Sequence, residues 1–271
     1  MSHQSSVVNS YDPRPTTDDS NWLIHHYDSV TSTMDVASQL ARFGARERTA
    51  VVSREQTAGR GRGGRPWQAA AGSAVFATLI LRPPVAAQRL STLPLVAGVA
   101  VAEVIERVSG GTVWLKWPND VLLGVDDAAA KVAGILVSSS LRGDRVDYVL
   151  IGVGINVLGG EDLPSGATSI QAATGLTIIP DEVFKCLLEC FAGAYAAYVA
   201  ADGRPSLSGW LARAALLGEV VTIEDAGRSL TGTFVGIDED GGLLIEETAH
   251  KIHKVVAGDL VRGPRVAGHP E

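Results

Sequence analysis

A glycine-rich loop carries the residues best suited to chemistry. Between Gly59 and Trp67 the chain reads Gly-Arg-Gly-Arg-Gly-Gly-Arg-Pro-Trp, which places Arg60, Arg62 and Arg65 close together. Glycine lets a backbone approach a ligand closely, and guanidinium groups bind carboxylates and phosphates through paired hydrogen bonds. The indole offers a face on which a base can stack. The loop therefore predicts a ligand with phosphate at one end and a base at the other.

Two known phosphate-binding motifs do not fit the context of this loop. The glycine spacing matches a dinucleotide-binding fingerprint, but that motif opens a helix and has an acidic residue about 20 positions later. Here Pro66 follows, and no Asp or Glu occurs between Glu55 and Glu103. A Walker loop is excluded because the chain has no Gly-Lys-Ser/Thr. A surface turn without function and RNA binding stay open, although this acidic chain lacks a second basic cluster for RNA.

A second cluster, Lys116-Trp117-Pro118-Asn119-Asp120, follows a strand-like run. Proline restricts the backbone at a turn, so it sets the relative direction of Lys116 and Asp120. Strand ends are where open α/β sheets build sites, but Pro-Asn-Asp is also ordinary turn chemistry. A functional cluster and a plain turn both stay open here.

Two further clusters lie on strand-like segments. Lys131 leads into the apolar run Val132–Leu136, where an ammonium group is costly to bury unless an anion meets it. A lysine at a strand start can also extend to water. The stretch Gly152-Val153-Gly154-Ile155-Asn156 puts two glycines on one strand face. That spacing predicts close approach to the backbone, with a β-bulge as the alternative.

Ser32 and Thr33 lie where a helix is predicted to begin. They cap the helix or hydrogen-bond a polar ligand, and the residues alone favour a cap, with Asp35 placed for a capping box. None of the six histidines lies at the spacing from other ligands that zinc sites use. The sequence also contains no recognisable Ser/His/Asp or Cys/His pattern of a catalytic nucleophile. The sequence predicts no metal site on the protein and no covalent catalysis by it.

Hydrophobic periodicity indicates the elements that position these clusters. Val36, Leu40 and Phe43 share one face of the first predicted helix, and Gly44 ends it. The predicted helices are 29–44, 92–108, 181–200 and a short one near 210–217. The predicted strands are 50–53, 74–81, 113–117, 132–138 and 148–157, and then four short ones at 220–223, 230–237, 243–247 and 250–256. Residues 54–67 are expected to form a loop.

These elements predict a mixed α+β fold with a central mixed sheet flanked by helices. A small C-terminal β-barrel should dock on it, because so small a core is marginal alone. We expect a disordered leader at 1–20, the main domain at 21–216, the barrel at 217–263 and a tail at 264–271.

Composition limits the classes of protein and of partner. The chain has 271 residues, 46% of them hydrophobic, and a net charge of −7. These values exclude fibrous, collagen-like and disordered classes and argue against coating nucleic acid or anionic membrane. The most apolar window, Leu93–Ala102, is too short to span a bilayer. Cys186 and Cys190 lie in a helical pattern that indicates packing. We expect a cytoplasmic protein that binds neither nucleic acid nor membrane.

Taken in order, the four clusters resemble those of biotin protein ligase, also called biotin–[acetyl-CoA-carboxylase] ligase, over about residues 21–263. The resemblance implies a class II synthetase-like catalytic domain and an SH3-like C-terminal barrel. The repressor branch of that family carries an N-terminal winged helix-turn-helix. Here only the polar residues 1–20 precede the catalytic part, so the sequence resembles the ligase-only form.

The resemblance implies a reaction in two steps. Biotin and Mg-ATP give biotinyl-5′-AMP and pyrophosphate, and a lysine of a biotin carboxyl carrier domain then takes the biotin. ATP is thus the cosubstrate, Mg²⁺ its ion and biotin the substrate, with no tightly bound prosthetic group. A homodimer joined through sheet edges stays open.

The resemblance also assigns roles to residues of this chain. Lys131 should meet the biotin carboxylate and the α-phosphate, and we hypothesise that Asp120 helps to deprotonate the incoming lysine. The implied catalytic residues are Lys131, Arg62, Asp120 and Lys116. The implied biotin-binding residues are Ser32, Thr33, Met34, Gln56, Arg60, Gly61, Arg62, Lys131 and Gly134. The implied ATP- and adenylate-binding residues are Gly59, Arg60, Arg62, Arg65, Trp67, Asn119, Lys131 and Asn156.

One position departs from the family pattern, because Met34 stands where Ser-Thr is usually followed by Asn. The loop is expected to be mobile until a ligand orders it, since glycine fills four of the six positions 59–64. Two rival functions stay open. One is a lipoate or octanoate transferase or ligase, which shares the catalytic fold but normally lacks the Arg/Gly loop. The other is a non-catalytic module that binds a partner through its barrel.

Overall fold

The computed structural model describes residues 15–18, 20–125, 128–159, 163–225, 228–247 and 251–262. Their strands are β1 (Thr16–Thr17), β2 (Leu23–Val30), β3 (Thr49–Gln56), β4 (Ala74–Leu81), β5 (Val113–Lys116), β6 (Asp120–Leu123), β7 (Ala130–Arg142), β8 (Arg145–Asn156), β9 (Val220–Asp225), β10 (Arg228–Ile237), β11 (Leu243–Glu246), β12 (Ile252–Val255) and β13 (Asp259–Arg262). Their helices are α1 (Thr33–Arg42), α2 (Leu93–Ser109), α3 (Ile170–Thr174), α4 (Pro180–Ala200) and α5 (Ser208–Leu211), with 3₁₀ turns at Arg62–Gly64 and Ala87–Thr92.

The main sheet has the strand order β1-β2-β3-β4-β8-β7-β6-β5. Every residue of β4 is buried, as expected for a strand covered on both faces. Strands β2 and β3 are parallel, and the other neighbouring pairs are antiparallel. A parallel pair requires a crossover, which α1 provides. The carboxyl ends of β2 and β3 therefore lie beside the N-terminus of α1.

Helices cover both faces of this sheet. Helix α1 packs against β3, β4 and β8 over a small core that includes Val51, Ile80 and Leu150. Helices α2 and α4 pack on each other, and they contact β7 and β4 respectively on the larger core. Phe43 was predicted to share one helical face with Val36 and Leu40. This prediction is wrong, because α1 ends before Phe43 and leaves its side chain 91% exposed.

The C-terminal residues form a five-stranded antiparallel sheet in the order β12-β11-β10-β9-β13. Its buried residues, among them Phe234 and Leu260, belong to the same core cluster as the main sheet. Trp210 packs edge-on against Phe234 at 6.5 Å between ring centroids. The prediction of a mixed sheet with a small β domain docked on it is confirmed.

Several predicted boundaries change. Helix α1 begins at Thr33 and not at residue 29, because the residues before it complete β2. Strand β2 was not predicted, because His25, His26 and Asp28 interrupt the alternation of apolar and polar residues. Strands β6 and β13 are present in the structure but were not predicted either. The predicted 54–67 loop loses its first residues to β3, which extends to Gln56.

The predicted disordered leader is wrong at β1, because Thr16 and Thr17 pair with Ile24 and Leu23. Residues 1–14 and 19 and the predicted tail at 264–271 lie outside the described residues. So does residue 250, the predicted start of the last short strand, which the structure begins at Ile252.

Among the described residues, α4 is the helix that is long and apolar enough to cross a membrane by length and composition. Half of its most apolar window is buried inside the fold, as in the core helix of a globular protein. Cys186 and Cys190 lie on it, both buried and unpaired as thiols, which confirms their predicted packing role.

Candidate active site

A cavity of about 510 Å³ lies where the end of β3, the β5–β6 turn and the start of β7 meet. It brings together every predicted site residue except Gly59. Those lining it are Ser32, Thr33, Met34, Gln56, Arg60, Gly61, Arg62, Arg65, Trp67, Lys116, Asn119, Asp120, Lys131, Gly134 and Asn156.

One end of the cavity is polar and tightly hydrogen-bonded. The Thr33 backbone N–H donates to Gln56 Oε1 at 2.8 Å, and the Thr33 hydroxyl donates to the same oxygen at 3.1 Å. The predicted Ser32 cap is wrong, since its side chain makes no capping hydrogen bond. Gln56, at the end of the parallel neighbour strand, supplies the acceptor for the first turn of α1 instead.

Met34 forms an apolar wall beside this polar end. A Cβ placed on Gly152 of β8 would lie 3.0 Å from its sulfur, so the thioether packs on bare backbone. The predicted close approach to the glycine strand is confirmed here.

The Arg/Gly loop closes as a tight hairpin. The Trp67 N–H donates to the Gly59 carbonyl at 2.9 Å, and the Gly61 N–H donates to the Arg65 carbonyl at 2.7 Å. A Cβ on Gly59 would lie 2.5 Å from the Trp67 carbonyl oxygen, so the hairpin requires glycine there. Gly59 therefore serves loop closure and does not line the cavity.

Carboxylates from other elements engage all three loop arginines. Arg60 makes two hydrogen bonds to Asp35 of α1, which therefore is not a capping-box residue. Hydrogen bonding to Asp35 raises the pKa of Arg60 above its ordinary value. Arg62 and Arg65 both bind Asp259 of β13. The like charges of the loop are thus held together by two carboxylates.

Asp259 fastens the loop to the C-terminal domain. Arg62 also donates to the Gly258 carbonyl at 2.6 Å, and Arg65 reaches both Asp259 oxygens at 2.9 Å. Burial alone would raise the pKa of Asp259, but the hydrogen bond from Arg65 and the charges of both arginines outweigh it and lower the pKa below its ordinary value.

Asp259→Asn is expected to loosen the loop. Exposed ion pairs contribute about 0.2–1 kcal/mol each, so losing two of them should speed hydrogen exchange of the loop amides several-fold. The contact contributes above the ordinary Asp pKa of about 3.9 and is lost as pH falls through the lower folded value. The ratio of variant to wild-type exchange should therefore be constant between about pH 6 and 8. The control is Asp144→Asn in an exposed turn. Equal exchange in wild type and Asp259→Asn would contradict the prediction.

Lys131 lines the cavity between Asp120 and Trp67. Its Nζ is 2.6 Å from Asp120 Oδ1 and 5.3 Å from the centroid of the Trp67 ring. The lysine side chain is 33% exposed, so it is neither fully buried nor fully solvated. Asp120 is held opposite Lys116 in the β5–β6 hairpin, whose turn contains the cis Trp117–Pro118 peptide bond.

Two glycines make the slot for the Trp67 indole. A Cβ on Gly154 would lie 2.5 Å from Cε2, and one on Gly134 would lie 2.8 Å from Cζ3. These strand glycines are thus required by a close approach and not by a bulge. Within the described residues, the buried Trp67 Nε1 has no hydrogen-bond partner. The same is true of Oδ1 of Asn156, a side chain only 4% exposed.

The two predicted asparagines are held by neighbouring backbone. Asn119 donates its amide to the Ile135 carbonyl at 3.0 Å, and Asn156 donates to the Thr168 carbonyl at 3.0 Å. Each amide group is therefore oriented before any ligand contact.

The sequence did not reveal two groups of cavity-lining residues, nor one buried residue that contacts the lining from behind. The C-terminal domain contributes Glu224, Asp259, Leu260 and Val261, and the segment 164–167 forms another wall. Thr78, behind Thr33, was hidden inside an apolar run. Such long-range pairings left no local signal in the sequence.

Most of the chain is similar in sequence to known proteins. Residues 27–156 match the biotin/lipoate A/B protein ligase family, and residues 216–263 match the biotin protein ligase C terminal domain. A biotin--[acetyl-CoA-carboxylase] ligase of Paracoccus denitrificans is 40% identical over 208 residues, which are 73% of this chain and 84% of that relative. The bifunctional ligase/repressor BirA of Bacillus subtilis is 38% identical over 250 residues, 89% of this chain and 74% of that relative.

The chain belongs to the biotin protein ligase family. A solved structure described as biotin protein ligase from Aquifex aeolicus in complex with biotin and ATP superposes with a TM-score of 0.72. It is 28% identical and covers 88% of this chain and 97% of its own. The observed sheet and C-terminal domain are therefore those of a biotin protein ligase, and this family member is an enzyme of the biotin ligase class.

Proposed function

We propose that this enzyme activates biotin with ATP as biotinyl-5′-AMP and transfers the biotin to a lysine of a biotin carboxyl carrier domain. The observation that carries the proposal is one cavity lined both by Arg60, Arg62, Arg65 and Lys131 and by the polar Thr33–Gln56 end. A carboxylate and a polyphosphate repel each other, and fixed cations around both reduce that repulsion.

In the first step, a carboxylate oxygen of biotin attacks the α-phosphorus of ATP, and pyrophosphate leaves. The ammonium of Lys131 is proposed to move from Asp120 to the reacting carboxylate and α-phosphate, where negative charge accumulates. Arg60 and Arg62 would likewise exchange Asp35 and Asp259 for ligand oxygens. The cyclic urea of biotin is proposed to lie at Ser32, Thr33 and Gln56.

In the second step, the ε-amine of the acceptor lysine attacks the carbonyl carbon of the mixed anhydride, and AMP leaves. An ammonium must lose a proton before it can attack. Once Lys131 is engaged by phosphate, Asp120 is proposed to accept that proton. Trp67, Arg65, Asn119 and Asn156 are proposed for the nucleotide side of the cavity, with Lys116 assisting catalysis beside Asp120.

Mg²⁺ is expected to arrive on the phosphate oxygens of ATP, as is usual for this ion. In the part of the chain that the structure describes, no group of three or more His, Cys, Asp or Glu side chains is placed to hold a metal. Protein side chains are therefore not proposed to form a metal cage, and no step depends on one.

The partner is proposed from a named relative, and the compartment from the cysteines. The Paracoccus denitrificans relative is a biotin--[acetyl-CoA-carboxylase] ligase, which supports a carrier domain of a biotin-dependent carboxylase as the acceptor. The two unpaired thiols support a reducing compartment, and we propose the cytoplasm. Neither nucleic acid nor membrane is a proposed partner, and pairing of two copies through sheet edges stays a hypothesis.

Biotin-dependent exchange of pyrophosphate into ATP tests the first step, and the mass of a carrier domain after the complete reaction tests the second. Exchange that requires biotin, with addition of biotin to one lysine, is the expected result. Exchange that requires lipoate or octanoate instead would favour the rival ligase. Absence of exchange with each acid would favour a non-catalytic binding module.

Biotinyl-5′-AMP is expected to order the Arg/Gly loop and shield the anhydride from water. Glycine-rich backbone loses much conformational entropy when it is fixed, and ligand contacts must offset that cost. Tryptic cleavage at Arg60 and Arg62 should therefore slow when the adenylate is bound. Equal cleavage with and without it would contradict a closing loop.

A further inference from the structure

We infer that Thr78, in the middle of β4, is a positioning residue that sets how the cavity recognises the cyclic urea of biotin. The inference rests on the proposed function, since it deepens the description of the polar end. Thr78 is 0% exposed, and it is the polar residue in a strand of otherwise apolar side chains. Its hydroxyl donates to Thr33 Oγ1 at 2.9 Å.

The hydrogen bonds of this end have defined directions. A backbone N–H can only donate, so the Gln56 atom 2.8 Å from the Thr33 nitrogen must be the oxygen Oε1. The Gln56 Nε2 is therefore turned the other way, toward the start of the loop, where it would lie 2.9 Å from a Cβ on Gly59. The Thr33 hydroxyl gives its proton to the same Oε1.

Thr78 completes this directional pattern. It occupies one lone pair of Thr33 Oγ1 while the proton of that hydroxyl is held by Gln56. Thr33 Oγ1 is thereby left as an acceptor, and Gln56 Nε2 as a donor. A cyclic urea offers N–H donors beside a carbonyl acceptor, which complements that pair. The alkyl chain of a fatty acid and the dithiolane ring of a lipoyl group offer neither.

Loss of the Thr78 hydroxyl would remove the constraint on the direction of the Thr33 hydroxyl. The Thr33 hydroxyl could then rotate and present its proton toward a ligand N–H, which sets donor against donor. Water cannot replace the lost group, because the position is fully buried. The expected defect concerns biotin recognition and not ATP binding or the chemical step.

The test compares Thr78→Val, which keeps the branched shape, with Thr78→Ser, which keeps the hydroxyl. Biotin-dependent pyrophosphate exchange gives KM for biotin, KM for ATP and kcat, and calorimetry gives biotin affinity without ATP. A net hydrogen bond corresponds to roughly a 2- to 12-fold effect. Thr78→Val should therefore raise KM and Kd for biotin by about 5- to 10-fold, with the other constants within about two-fold. Thr78→Ser should restore them.

The matched control is Thr49→Val on β3. Thr49 is equally buried, and its hydroxyl donates to the Arg46 carbonyl away from the cavity. A double-mutant cycle with Thr33→Ala tests the route, because Thr78→Val should add nothing once the Thr33 hydroxyl is gone. The cycle stays informative even if Thr78→Val lowers the melting temperature.

An unchanged KM for biotin in Thr78→Val, an equal rise in both KM values, or additive effects in the cycle would each overturn the inference. These outcomes differ from failure of the proposed function. In that case the wild-type protein itself would show no biotin-dependent exchange, and the inference would fall with it.

Discussion

Replacing Lys131 with Met should lower the rate of biotin-dependent pyrophosphate exchange by about 100- to 1000-fold. The Lys131 ammonium lines the cavity, paired with Asp120 at 2.6 Å and 5.3 Å from the centroid of the Trp67 ring. Methionine keeps an unbranched apolar stem of similar length up to Cε and removes the ammonium group with its charge and N–H donors. The change should therefore reduce kcat far more than it changes the free energy of unfolding.

The control for this variant is Lys185→Met on the exposed side of α4. It removes the same charge from the surface, so exchange should stay close to wild type. Activity of Lys131→Met within about three-fold of the control would show that no such electrostatic contribution exists at this position.

Gly154→Ala should produce the second large loss. The new Cβ would lie 2.5–2.8 Å from the Trp67 indole, so either the ring or strand β8 must move. Overpacking of this kind costs about 1–3 kcal/mol of stability. Because the indole lies beside Lys131, displacement by about 1 Å should also cost about 100-fold in kcat/KM. Steady-state kinetics and denaturant unfolding on the same sample measure the two effects.

Gly193→Ala provides the matched control. Gly193 lies in α4, where a Cβ would meet nothing within 4 Å. Alanine there should raise stability by about 0.5–1 kcal/mol and leave activity unchanged. If Gly154→Ala behaved in the same way, the proposed slot for Trp67 would have no role in the reaction.

Local signals made much of the fold predictable. Strand β4 was predicted to the residue, because its continuous apolar run ends at Arg82-Pro83-Pro84. Helices α2 and α4 were predicted within one residue at each end. Strand β2 was not, because its burial depends on partners on either side of it and not on its own alternation.

The residues of the site likewise fall into those with a local sequence signal and those without one. The loop arginines, Lys131 and the strand glycines were found from their residue types and spacing alone. Asp35, Asp259 and Thr78 were not assigned to the site, because each acts through a side chain far away in sequence. Arg62 and Asp259, for example, are 197 positions apart. A single sequence carries no local trace of such a pairing.

That pairing has a consequence for biosynthesis. A nascent chain leaves the ribosome from its N-terminus at about 5–20 residues per second, and domains fold as they emerge. The main sheet can form before β13 has been translated, but Arg62 and Arg65 then have no Asp259 to bind. The newborn polypeptide therefore acquires a complete cavity wall only when its final described strand has cleared the exit tunnel.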